Sequence, residues 1–197
     1  MAAATGRRNE IVNATIQVIQ KKGIGGATMR AIAREMGLTT GVISHHFSDK
    51  NELLTEALKT GFQPWFEALE AGPTLGGPWE RLRYLFLTTV LKRCDSKRGS
   101  RVWVGMLLQI KLEENLWEVY KSQYGVMREE VFALFRECQK QGFIRDDLDP
   151  VIECNHLFAL SDGLIISAFG EPDRFTTDMV REIMTLQLAR LQPQPNA

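Results

Sequence analysis

Apolar residues recur at three- and four-residue spacing from one end of the chain to the other, and no sustained alternating run of β-branched residues interrupts them. The pattern opens with Ile11, Thr15, Val18 and Ile19 and predicts an all-α fold. With 44% hydrophobic side chains in 197 residues, a chain of this kind buries a sizeable core and suits one domain or two small ones.

The breaks in the pattern divide it into helices. Gly23 ends the first, and a glycine-rich joint runs to Gly26. Thr28 caps a second helix over 29–36, which Gly37 stops after two turns; a third, short helix covers about 40–46. Asp49 with Glu52 three positions on makes a capping box that opens a fourth helix, carrying Leu53, Leu54, Ala57, Leu58 and Phe62. Pro64 predicts a kink or break before Trp65 and Phe66. Gly72, Pro73, Gly76, Gly77 and Pro78 crowd into a loop. Further helical patterns follow at about 79–94, 100–112, 115–141, 150–169 and 174–191, and the tail QPQPNA is expected to be disordered.

Two short helices joined by a glycine turn are the signature of a helix-turn-helix. In TMRAIAREMGLTTGVISHHFSDKNELL, from Thr28 to Leu54, the residues Met29, Ile32, Ala33 and Met36 share one face, with Val42, Ile43 and Phe47 expected to pack against it. The outward residues of the third helix are then Thr39, Thr40, Gly41, Ser44 and His45. These are small or hydrogen-bonding groups able to approach base edges and phosphates.

Formal net charge is zero, which alone argues against nucleic-acid binding, but the distribution is uneven. Residues 1–50 carry seven Lys or Arg against three acids, a balance of +4 that leaves −4 for the rest. A basic head on an acidic body steers the head toward phosphates.

Other chemistries find little footing. Cys94, Cys138 and Cys154 are widely spaced and form no C-x-x-C pair, so neither a disulfide framework nor a zinc ribbon is indicated. His45 and His46 project about 100° apart on a helix and lack a third ligand, so no metal is expected. The Gly23–Gly26 joint follows a helix and lacks the lysine and serine of a phosphate-binding loop. No G-x-S-x-G or H-E-x-x-H grouping occurs; an enzyme is not expected, and neither is a cofactor. The N-terminus MAAATGRR has no signal-peptide core, and no stretch approaches the roughly 20 apolar residues of a membrane span. A soluble, cytoplasmic protein is expected. His156 reads as a packed or interface histidine and Glu153 as solvated.

The run TGVISHHFSDKNELL, with the glycine turn before it, resembles the TetR family of bacterial repressors over residues 10–59, and within that family it is most similar to the choline-responsive branch. The resemblance implies that Thr28, Lys50 and His46 contact phosphates. Ser44 departs from the family's common tyrosine, so a tyrosine hydroxyl contact there is replaced by a shorter reach or is absent. It further implies an N-terminal three-helix helix-turn-helix domain over 1–50, and a C-terminal helical ligand-binding and dimerisation domain over 51–191, ahead of the tail 192–197.

On the family's layout the middle helices enclose a ligand. Phe62, Trp65, Phe66, Tyr84, Trp103, Met106, Trp117, Tyr120 and Tyr124 fall on them, a set suited to an apolar, aromatic or quaternary ammonium effector. Glu113 or Glu114 is a candidate counter-charge. The last two helices pair with those of a second copy. Leu157, Leu160, Ser161, Leu164 and Ala168 are expected on that interface, with Ile183, Leu186 and Arg190 opposite and Ala159 and Gly163 allowing close approach. The expected function is a ligand-responsive regulator, a repressor by resemblance, that binds a near-palindromic operator as a homodimer. The rival readings are an activator or architectural factor without a ligand, and a dimeric ligand-binding or scaffold protein that does not select a DNA sequence.

Overall fold

The structure is a computed structural model that describes residues 2–71, 76–95, 110 and 114–194. Among them lie eight helices and no strand: α1 (Ala2–Gly26), α2 (Met29–Glu35), α3 (Thr40–His46), α4 (Lys50–Ala71), α5 (Pro78–Asp95), α6 (Glu114–Lys140), α7 (Pro150–Gly170) and α8 (Thr177–Ala189). The helix expected at 100–112 lies outside the described residues except at 110. So do the last three residues of the tail. Two compact units emerge: the first takes the described residues up to Phe62 together with 110 and 114–123, and the second takes those from Gln63 to Asp95 and from Tyr124 onward.

In the first unit, α1 buries Ile11, Val12, Ala14, Val18 and Ile19 along one face. Thr15 is buried with them, and its hydroxyl donates to the Ile11 carbonyl at 2.8 Å, so no polar group is stranded. Gly23 takes φ 72°, and the chain turns there before one more helical turn to Gly26. The Thr28 Oγ1 then accepts from the Ala31 amide at 3.1 Å, capping α2.

The turn between α2 and α3 closes entirely through backbone. The Leu38 amide donates to the Ala33 carbonyl at 2.8 Å and the Gly37 amide to that of Arg34 at 3.2 Å, the paired bonds of a Schellman ending. That geometry needs a left-handed residue just before the last donor, and Gly37 supplies it at φ 66°.

The start of α4 differs from expectation by one residue. Asp49 Oδ1 accepts from the Glu52 amide at 2.9 Å as foreseen, but the Glu52 carboxylate reaches the amide and hydroxyl of Ser48, at 2.8 and 2.9 Å, instead of the Asp49 amide. The expected break at Pro64 is also corrected, because α4 runs through it to Ala71. A proline inside a helix costs about 3 kcal/mol or more. Phe62, Trp65 and Ala68, all buried around it, hold the helix together.

In the second unit α5 packs against α7 and α8, with Leu82, Leu85, Phe86 and Val90 buried. The Asp149 carboxylate caps α7 by accepting from the Val151 and Ile152 amides, and Thr176 caps α8, which begins three residues later than the sequence pattern placed it. Ring contacts link α5, α6 and α7: Phe86 meets Phe158 at 5.7 Å, and Phe158 meets Tyr124 at 5.5 Å. Burial pushes the Cys138 and Cys154 thiols up to about 12.

Two further expectations are corrected here. By length and composition α7 is apolar enough to cross a membrane, although no such stretch was expected. Its hydropathy comes from two apolar faces, of which one, formed by Cys154, Leu157, Phe158, Leu164 and Ile165, is packed inside the unit. Glu153, read as solvated, keeps only 18% of its side chain exposed and lies 3.6 Å from His156 Nδ1.

Candidate nucleic-acid interface

A seven-residue helix is too short to be stable alone, so α3 depends on what lies beneath it. Ile43 and the following Phe47 provide that base, both essentially inaccessible to solvent. With those two turned inward, the 100° step of the helix turns Thr39, Thr40, Gly41, Ser44 and His45 outward, and all five are exposed. Val42, expected in the packing, is instead 36% exposed and joins the outer face, where its methyl groups suit contact with thymine. Met29 and Met36 are half-buried beside the buried Ile32 and Ala33.

The side chains around this face keep donors available. Thr39 makes no side-chain capping bond. Thr28 is exposed, and while its oxygen accepts from Ala31 its own O–H proton remains a donor. Lys50 and His46 are half-buried at the C-terminal side of α3, with the His46 ring edge-on to that of His45 at 5.1 Å. A Cβ built on Gly41 meets only Thr39 Oγ1, at 3.7 Å, an ordinary contact. The fold itself therefore has no need of glycine there.

Sequence reasoning missed the groups that fix the α3–α4 corner. Arg8 of α1 donates from Nη1 to the His46 carbonyl at 2.6 Å and from Nη2 to Glu52 Oε1 at 2.7 Å. Its guanidinium lies 4.1 Å from the centre of the Phe47 ring. The hydrogen bond from Arg8, reinforced by those from Ser48, holds the Glu52 carboxyl down at about 2. Nothing in the local pattern marks a pairing across 44 positions. Lys21 and Glu35 form a second bridge, between α1 and α2.

The residues expected to meet an effector fall into separate sets. In the first unit Phe62 is fully buried and meets Tyr120 at 6.1 Å, and Tyr120 stacks on Trp117 at 5.6 Å with planes 15° apart. In the second, Trp65 is buried with Phe66 edge-on at 5.2 Å, and Tyr84 is half-buried. Trp103, Met106 and Glu113 lie outside the described residues, and Glu114 is exposed. The carboxylate found among the rings is one not foreseen: the Tyr124 hydroxyl donates to Asp162 Oδ2 at 2.5 Å, beside Phe158. The available signal was a lone acid in the middle of the most apolar helix.

The residues assigned to a dimer interface are also redistributed. Leu157, Leu164 and Ser161 are buried within their own chain. Leu160, Ala168 and Ile183 are half-buried; Arg190 and Leu186 are exposed, Leu186 at 55%. The outward apolar stripe of α7 is instead Ile152, Ile166 and Phe169, 64%, 48% and 41% exposed, with Ala159 and Gly163 between them. α7 is apolar on both sides, and periodicity does not say which side faces α5.

Comparison with known proteins bears on both regions. Residues 11–57 match the family described as bacterial regulatory proteins, tetR family, and residues 78–193 match the C-terminal region of BetI-type transcriptional repressors. The chain is 27% identical over 180 residues to the HTH-type transcriptional regulator PksA of Bacillus subtilis, spanning 90% of this chain and 86% of that one. It is 43% identical over 53 residues to the regulator BetI of Escherichia coli, a match covering 27% of each chain. Among solved structures, a transcriptional regulator from Saccharomonospora viridis in complex with choline superposes with a TM-score of 0.83. That match has 23% identity and covers 94% of this chain and 96% of the other.

Proposed function

The chain belongs to the tetR family of bacterial regulatory proteins, with a C-terminal region of BetI type, and from that premise we propose that it is a ligand-responsive repressor that binds a near-palindromic operator as a homodimer. The observation that carries this reading is the row Thr39, Thr40, Gly41, Ser44 and His45, exposed on a short helix whose inner side is locked by Ile43 and Phe47. Residues 1–50 act as the DNA-binding domain and 51–191 as the ligand-binding and dimerisation domain. Thr28, His46 and Lys50 anchor phosphates, while the exposed row reads bases. The protein works in the cytoplasm, where its operator is.

Two copies meet through the outward stripe of α7, with Met179 and Leu186 of α8 adding to it. That pairing sets the two α3 helices about 34–36 Å apart, one DNA turn. The effector occupies the C-terminal domain, and its chemistry follows from the Tyr124–Asp162 pair beside Phe158: rings and a carboxylate together favour an organic cation, of which choline is the simplest probe. Release requires that the effector prefer the geometry that does not bind DNA; going from almost fully bound to almost fully released takes about 5.5 kcal/mol of differential affinity.

The test is a titration against the DNA flanking the protein's own gene, at fixed and stated salt, followed by a second titration with choline present. Saturation at two subunits per short palindrome supports the regulator reading, and release by choline supports the cationic effector. Absence of sequence-selective binding, there and in selection from random DNA, sinks the repressor reading and favours a ligand-binding or scaffold protein.

A further inference from the structure

A recognition helix of seven residues can be folded and still be wrongly pitched, because its ends carry no internal restraint. Here the restraint comes from far away in the sequence. The Arg8 guanidinium spans the junction between α3 and α4: one nitrogen holds the last carbonyl of α3 and another holds Glu52 in the first turn of α4, while the plane lies over Phe47 between them. The other oxygen of Glu52 takes the Ser48 amide and hydroxyl, so every residue from His46 to Ser48 is tied to this one cation. A positive charge at the C-terminal end of α3 also opposes the negative end of its dipole.

We propose that Arg8 is a positioning residue for operator recognition, acting on α3 from behind and making no contact with DNA itself. The proposal rests on the regulator reading for its DNA arm, but not for its effect on α3. The planar fork is essential, since a lysine ammonium is a point charge that does not bridge two acceptors while stacking on a ring. The Arg8→Lys variant should therefore fail to restore what Arg8→Met loses.

Two readouts on the intact chain decide the matter. The first needs no DNA: amide exchange at residues 43–48 should be about tenfold faster in Arg8→Met and in Arg8→Lys than in the wild type, with α5, α7 and α8 unchanged. Unchanged exchange at 43–48 overturns the proposal. The second compares affinity for an operator selected by the wild type with affinity for a random duplex, across salt concentrations. Arg8→Met should lose about tenfold in operator affinity, while random-duplex affinity and the salt slope stay as they were. A loss shared equally by both DNAs, with the slope shallower by about 0.9, makes Arg8 a phosphate ligand and overturns the proposal.

If Arg8→Met does not fold, Glu52→Gln supplies the same comparison from the other side of the pair, keeping an acceptor for Ser48. Where Arg8→Met does fold, a double-mutant cycle with Glu52→Gln should show losses far from additive; full additivity overturns the coupling. A wild type that selects no operator while exchange still responds to Arg8 means that the regulator reading has failed, and operator positioning fails with it.

Discussion

The two units solve the problem of aiming side chains in different ways. In the first, short helices are pinned by nearby devices: the Thr28 cap, the backbone turn at Gly37 and the Asp49 cap, with one long-range cation closing the corner. In the second, Asp149 and Thr176 cap α7 and α8, but which face of α7 points outward is settled by packing against α5 and α6 rather than by anything inside α7. Local devices leave a local trace; packing between distant helices does not. This explains why the exposed set of α3 is legible from residues 39–45 while the side of α7 that packs inside its unit is not.

The comparison can be broken most forcefully at Phe47, which serves the first unit only. Phe47→Ala should cost about 3–5 kcal/mol and abolish operator binding, while a calorimetric transition from the second unit remains near its original temperature. A single joint transition, lowered as a whole, would mean that the units do not unfold separately. The next largest effect is at the outer stripe of α7. Ile152→Glu should weaken self-association by about tenfold or more in sedimentation while leaving helical content intact, whereas Leu160→Ala should change association much less. The reverse ranking would restore the interface expected from the sequence.

Smaller effects sharpen the contrast inside the first unit. Thr28→Ala should cost about 1 kcal/mol through the lost cap, read by thermal melting. Gly41→Ala should raise stability by up to about 1 kcal/mol, since a Cβ meets only Thr39 Oγ1 there, yet lower operator affinity if the backbone approaches DNA closely. Equal operator affinity for both forms would remove Gly41 from the interface.

The least effect is one of pH. The Glu52 pKa is depressed on folding, so the stability it contributes is complete above its ordinary value near 4.5 and is lost as pH falls toward 2. The gap between wild type and Glu52→Gln in acid unfolding should close over that window; a gap that persists at pH 2 would assign it to something other than the carboxylate charge.

Periodicity made the helices themselves readable, including the bounds of α3 and nearly those of α6. A break at Pro64 is not seen; Phe62, Trp65 and Ala68 around it are buried and the helix runs on. The roles of Arg8 and Asp162 do not show in the pattern, even though Asp162 stands out as an acid in an apolar helix, since each gains its meaning from a partner 38 residues away, the His46 carbonyl for one and the Tyr124 hydroxyl for the other.

The backbone closure at Gly37 has a consequence for how such a protein changes over generations. The α2–α3 turn is bonded through main-chain atoms, and the inner side of α3 rests on Ile43 and Phe47, while Thr40, Ser44 and His45 are exposed. On the proposed regulator reading, mutations at these three exposed positions disturb folding little and alter which sequence is read. If that reading holds, a duplicated copy of the gene can drift to a new set of promoters without first passing through an unstable protein.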